Sequence, residues 1–385
     1  MRIAVLAERA SGETRVAVSP DTVKKIVGLG HAVAIQAGAG SASSFPDAQY
    51  EAAGATIAAN AADALNGADL LLKVRAPEAD EISALRAGAG VVALMNPYGA
   101  KALVDGLAAK GLAALAMEFV PRITRAQAMD ALSSQSNLAG YRAVIEAATL
   151  YGRGFPMMMT AAGTVAAAKC FIMGAGVAGL QAIATARRLG AVVTATDVRP
   201  AAKEQVASLG AKFIAVEDDE FKQAETAAGY AKPMSAEYQA KQAALVAEHI
   251  AKQDVVITTA LIPGRPAPVL VTAEMVKAMK PGSVIVDLAA AQGGNCPLTK
   301  PDEIVRTDNG VTIAGFTNLP ARLPADSSSL YAKNLLNLLP LLTDKESKGF
   351  APHWDDEIIK GAMLTREGKV VHPTFAPPAA PAPAA

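Results

Sequence analysis

The chain has 385 residues, of which 36 are basic, 36 acidic and 51% hydrophobic, and its formal net charge is zero. Such a length supports two domains with two buried cores, and the balanced charge argues against nucleic acid or an anionic membrane surface as the main partner. Its two cysteines, Cys170 and Cys296, have no CxxC spacing, so neither a disulfide framework nor a zinc site is expected, and no other metal site is read.

The opening stretch, "MRIAVLAERASGETRVAV", meets acidic residues too early for a signal peptide. No apolar run reaches the roughly 18 residues of a membrane helix, so a soluble chain is expected. Through the first 120 residues, "RIAVLAE", "HAVAIQAG", "DLLLKV", "GVVALMN" and "LAALAME" read as strands. Between the first two, "SPDTVKKIVGLG" reads as a helix with Ser19 as N-cap, Pro20 in the first turn and an end at Gly28 or Gly30. The strands are apolar throughout rather than alternating, as a parallel sheet covered on both faces requires.

Residues 121–137, "PRITRAQAMDALSSQSN", interrupt this apolar chain with an almost unbroken row of donors and acceptors. Next, "LAGYRAVIEAATLYGRG" reads as a helix joining two domains, with Leu138, Tyr141, Val144, Ile145 and Ala148 on one face. A second α/β series follows in "AKCFIMGAG", "AVVTATD", "AKFIAVE", "DVVITTA", "SVIVDLA" and "VTIAGF". The later helical stretch "SSSLYAKNLLNLLPLL" could return the chain to the first domain. The expected fold is α/β, with two Rossmann-like, doubly wound parallel-sheet domains joined by long helices. Residues 1–125 and 316–372 would form the first, 126–315 the second, and 373–385 a Pro/Ala-rich tail.

The most legible motif is "KCFIMGAGVAGLQAIATARRLGAVVTATDVRP". In it a strand runs into Gly174-Ala175-Gly176-Val177-Ala178-Gly179 and then a helix. Gly174 allows the tight turn, Gly176 lets backbone approach a pyrophosphate, and Gly179 lets helix and strand pack closely. The helix start offers free N–H groups to phosphate. Asp197 ends the next strand, eighteen residues after Gly179, where a carboxylate accepts from the adenosine ribose and repels a 2′-phosphate. NAD(H) is therefore the expected cofactor, although nearby Arg199 is a residue type that can welcome a 2′-phosphate. The first domain has no comparable glycine triplet.

Proton-transferring dehydrogenases need an acid or base near the substrate carbon. The four histidines, His31, His249, His353 and His372, read as surface or capping residues. Arg15 and Lys73 could bind a small carboxylate, or stand solvated as isolated charges.

These stretches, together with "FPMMMTAAGTV", "AETAAGYAK", "TTALIPGRPAPVL" and "GGNCPL", resemble the NAD(H)-binding alpha component of the proton-translocating nicotinamide nucleotide transhydrogenases, relatives of the alanine dehydrogenases. The resemblance spans nearly the whole chain. It implies direct hydride transfer between NAD(H) bound here and NADP(H) on a partner component, with a membrane component coupling transfer to proton movement. It further implies that Arg122, Asp130 and Ser133 hold the nicotinamide amide and ribose, and that Gln127 reaches toward NADP(H). Gly229 and Tyr230, in a mobile loop, would close over the cofactor. Gln242, Leu261, Val177, Val198 and Arg199 would complete its surroundings. A homodimer on the cytoplasmic face of a bacterial inner membrane is implied as well. The competing readings are an alanine dehydrogenase and an NAD-binding protein without chemistry. Against the first, Asn96 and Ala291 stand where the alanine dehydrogenase pattern has its histidine and aspartate.

Overall fold

The computed structural model describes residues 1–224 and 234–376. The chain divides into two compact units, Met1–Gln135 with Ala321–Ala385, and Ser136–Pro320.

The first unit contains strands β1 (Arg2–Val5), β2 (Ala32–Gln36), β3 (Thr56–Ala58), β4 (Leu70–Arg75), β5 (Gly90–Leu94) and β6 (Ala113–Ala116). They lie in the order β6-β5-β4-β1-β2-β3, all parallel, and an antiparallel pair, Met363–Arg366 and Lys369–Val370, extends the β6 edge. Successive residues along a strand face opposite sides, so Ile3, Val5, Leu70 and Leu72 fill one core while Ala4, Leu6 and Leu71 fill the other. All five strands expected from sequence are present. The short β3 and the terminal pair are additions whose few residues give no periodicity to read. Helix α1 (Pro20–Gly28) starts in a reciprocal cap, with Ser19 Oγ accepting from Thr22 N–H at 3.3 Å and Thr22 Oγ1 from Ser19 N–H at 2.9 Å.

Helix α2 (Ala131–Leu150) begins seven residues before the expected start. Its buried face is Gly140, Ala143, Val144 and Ala147, whereas Tyr141 is 38% exposed and Leu138, Ile145 and Ala148 are half-buried. The expected face rests on the larger apolar side chains. Close helix contact selects the small ones instead: a Cβ on Gly140 would lie 2.0 Å from the carbonyl oxygen of Ala178.

The second unit contains a small hairpin, β7 (Met158–Thr160) with β8 (Gly163–Val165). Its main sheet is built from β9 (Lys169–Met173), β10 (Val192–Thr196), β11 (Lys212–Phe213), β12 (Val255–Thr258), β13 (Val284–Asp287), β14 (Ile304–Arg306) and β15 (Thr312–Ala314). The order is β11-β10-β9-β12-β13-β15-β14, parallel except for β14. Order reverses between β9 and β12, and ligands of open α/β sheets bind at the carboxyl ends of strands beside such a reversal. Both sheets are therefore Rossmann-like. Helix α3 (Val177–Arg188) follows β9, α4 (Ala236–Ile250) precedes β12, and α5 (Pro324–Leu338) belongs to the first unit. Among the described residues no helix is long and apolar enough to cross a membrane.

Candidate functional site

In the second unit, β9 turns into α3 through the glycine motif, and each glycine has its own steric setting. Gly174 has φ +106°, a region that disfavours side chains. A Cβ on Gly179 would lie 1.8 Å from the Gly174 carbonyl oxygen, so only glycine permits this approach of helix and turn. A Cβ on Gly176 would meet nothing within 4 Å. Gly176 is also the N-cap of α3 and provides no side-chain acceptor, leaving the first-turn N–H groups open to a phosphate. The open space above Gly176 and the uncapped helix start fit a pyrophosphate.

Asp197 follows β10 directly. Its Oδ2 accepts from Ala175 N–H at 2.7 Å, and its Oδ1 accepts from Arg199 N–H and Nε, each at 2.9 Å. The carboxylate thus stands beside the glycine turn with Arg199 folded onto it. Val177, Val198 and Leu261 are 41%, 61% and 48% exposed, an unusual condition for side chains that sequence places beside apolar strands. Gln242, on α4, accepts from Val216 N–H at 2.8 Å and donates to Thr196 Oγ1 at 3.2 Å, the residue before Asp197. Gly229 and Tyr230 lie outside the described residues.

Two residues in this unit escaped the sequence reading. Asp287, fully buried at the end of β13, accepts from Thr258 Oγ1, Thr299 Oγ1 and the N–H groups of Ala289, Asn295 and Cys296. Asn295, also fully buried, receives Ala260 N–H at 3.1 Å and donates to the carbonyls of Ala260 and Pro268, each at 2.8 Å. Together they fix the segment leading into Leu261. The acid ending "SVIVD" was the available clue, because a carboxylate closing an apolar strand must find donors.

In the first unit, Thr124–Met129 forms a 3-10 helix and Asp130 precedes α2. The Asp130 carboxylate accepts from Ser133 N–H at 2.8 Å and from Ser133 Oγ at 2.5 Å, as a helix cap does. Arg122 and Gln127 are exposed, and neither side chain makes a hydrogen bond among the described residues. Arg125 instead forks onto Asp356 and reaches Glu357.

Arg15 and Lys73 are neither isolated nor solvated, which corrects that expectation: they are 3% and 1% exposed. Glu13 accepts from Arg15 Nε and Nη2, both at 2.7 Å, and Glu81 accepts from Lys73 Nζ through both oxygens at 2.9 Å. Glu8 stands 3.8 Å from Lys73 Nζ. Burial pushes the Glu8 carboxyl up to about 7 against the pull of Lys73, while Arg15 and Arg75 overcome burial and hold Glu13 at about 2. A buried cation requires a buried partner, and the apolar-strand pattern hid that pairing.

The histidines were expected at the surface or as caps, and three of them are packed into the fold. His31 is 4% exposed, His249 lies edge-on to Phe171 and 2.8 Å from Thr194 Oγ1, and His372 stacks on Phe119. Burial lowers the pKa of each.

Residues 4–139 match the N-terminal domain, and residues 143–373 the C-terminal domain, of the Alanine dehydrogenase/PNT family. The chain belongs to that family. Within it, the chain is 54% identical over 380 residues to an NAD(P) transhydrogenase subunit alpha chain of Rhodospirillum rubrum, covering 97% of this chain and 99% of that one. A solved transhydrogenase structure from Sinorhizobium meliloti superposes with TM-score 0.88 at 57% identity, covering 96% of this chain and 100% of that chain. The alanine dehydrogenase of Halomonas elongata is 31% identical over 380 residues, covering 97% of this chain and 95% of that one. Among these members of the family, the transhydrogenase likeness is the stronger, as the motifs implied.

Proposed function

We propose that the chain is the NAD(H)-binding component of a proton-translocating transhydrogenase. The carrying observation is the glycine motif with open space above Gly176, an uncapped α3 and Asp197 at the next strand end. Gly174, Gly176, Val177 and Gly179 receive the pyrophosphate, and Asp197 the adenosine ribose hydroxyls. Val198, Arg199, Gln242 and Leu261 line the same nucleotide.

The bound dinucleotide supplies the hydride. Arg122, Asp130 and Ser133 orient its nicotinamide amide and ribose, and Gln127 addresses NADP(H) on a partner component. Between two nicotinamides no proton moves at the reacting carbons, so the chain's task is positioning rather than acid–base catalysis. Asn96 and Ala291, at the positions of the proton-handling pair in the alanine dehydrogenase pattern, support this reading over amino-acid oxidation. A membrane component couples the transfer to proton movement, and the chain works as a homodimer on the cytoplasmic face of the inner membrane.

Titrating the isolated chain with NADH and NADPH, then adding an NADP(H)-binding component, tests the proposal. NADH preference followed by hydride exchange is the expected result; NADPH preference, or binding without exchange, contradicts it.

A further inference from the structure

The polar loop, residues 121–130, and the first turn of α2 behind it are held by a side chain that the functional reading does not use. Asn334 lies on α5 and is 6% exposed, among the buried Tyr331, Leu335 and Leu338. Leucine would fill that position at less cost, since asparagine is a poor helix residue and its buried amide must be satisfied. The Asn334 amide is satisfied from the loop. Its Oδ1 accepts from Ser134 Oγ at 2.7 Å, and its Nδ2 donates to the Ala128 carbonyl at 2.9 Å. Asn337 donates to the same carbonyl at 3.3 Å. The two gripped points enclose Asp130 and Ser133.

A second group backs the clamp. Gln135, 6% exposed, donates to Ser134 Oγ at 3.3 Å and to the Ser327 carbonyl at 3.1 Å. Its Oε1 accepts from Arg15 Nη1 at 2.8 Å. The chain of bonds runs from the buried Glu13–Arg15 pair through Gln135 and Ser134 to Asn334.

We propose that Asn334 is a positioning residue for hydride transfer, clamping the polar loop through Ser134 and Ala128 with Gln135 and Arg15 behind it. This rests on the reading that the loop orients the nicotinamide. Where a reaction depends on placement alone, a misplacement of about 1 Å costs on the order of a hundredfold in rate. Most of the dinucleotide is assigned to the glycine motif and Asp197, so a loosened loop costs rate more than affinity.

The test compares wild type, Asn334→Ala, Ser134→Ala and the double variant. Three quantities are read: amide hydrogen exchange of the free chain over residues 127–133, NADH affinity, and single-turnover hydride transfer to NADP+ on an added NADP(H)-binding component. Both single variants are expected to exchange those amides at least about tenfold faster than wild type. Both should slow transfer by about tenfold to a hundredfold while NADH affinity stays within about threefold. The double variant should be about as slow as Asn334→Ala alone, because that substitution already removes the Ser134 link together with the Ala128 one. Unchanged exchange overturns the clamp. Faster exchange with unchanged transfer, or a transfer loss in Ser134→Ala matched by lost affinity or lost folded protein, overturns the positioning role. If Asn334→Ala does not fold, Ser134→Ala reads the same link from the half-buried side. Wild-type chain that binds NADH and transfers no hydride defeats the functional reading itself, a result distinct from failure of the clamp.

Discussion

The Asp197 carboxylate accepts a hydrogen bond from the Ala175 N–H at 2.7 Å, so the strand-end acid is anchored to the glycine turn. The same carboxylate holds Arg199 through its backbone and Nε. Asp197→Ala should therefore act on both affinity and selectivity. NADH binding should weaken by about tenfold, roughly 1.4 kcal/mol, and the preference over NADPH should narrow as Arg199 is released toward a 2′-phosphate. Fluorescence titration with both nucleotides reads this directly. An unchanged NADH-to-NADPH ratio would remove Asp197 from the selectivity argument.

Gly176 and Gly179 are three residues apart and should respond oppositely to alanine. At Gly176 the added methyl enters open space, so thermal stability should change by less than about 1 kcal/mol while NADH affinity falls at least about tenfold. At Gly179 the methyl collides with the Gly174 carbonyl, and overpacking of this kind costs about 1–3 kcal/mol. Melting curves alongside NADH titrations separate the two. If Gly176→Ala bound NADH normally, the open space would not be the phosphate site.

Gln127 is exposed, and its side chain makes no hydrogen bond among the described residues. Gln127→Asn shortens its reach by one methylene and breaks no such bond. NADH affinity and melting temperature should stay unchanged, while hydride transfer to a bound NADP+ slows about tenfold. A collapse of NADH affinity would assign Gln127 to the wrong nucleotide.

The strands, the glycine motif and the capped α1 were legible because each is encoded locally, by apolar runs, glycine spacing and Ser-Pro at a helix start. What the sequence hid depends on partners distant in the chain. Lys73 read as an isolated charge because Glu81 lies beyond its strand, eight residues on, and Arg15 because its partner Gln135 is 120 residues away, although its acid partner Glu13 is only two residues before it. Asn334 looked like one polar residue in a leucine-rich helix, since its partners Ser134 and Ala128 lie about 200 residues away. The face of α2 was misread for a different reason. Large side chains dominate a periodicity count, whereas close helix packing at Gly140 requires small ones.

The buried acids of the first unit give a pH prediction. Glu8 is raised from an ordinary 4.5 to about 7, so between those values the folded chain binds more protons than the unfolded one. Stability therefore falls as pH rises through that window, by on the order of 3 kcal/mol. Glu13 is lowered to about 2, and its contribution is present above 4.5 and lost as pH falls toward 2. In denaturant titrations from pH 5 to 8, Glu8→Gln should flatten the decline seen in wild type. A decline of equal slope in the variant would place the titration elsewhere.

The central claim is that hydride passes directly from a nicotinamide held by this chain to one held by another protein, without acid–base chemistry. Transfer from NADH deuterated at the reactive carbon, with NADP+ on the partner component, tests it most directly. The account predicts that the label appears in NADPH with no loss to solvent. Exchange of the label with water, or oxidation of alanine by the chain alone, would contradict it.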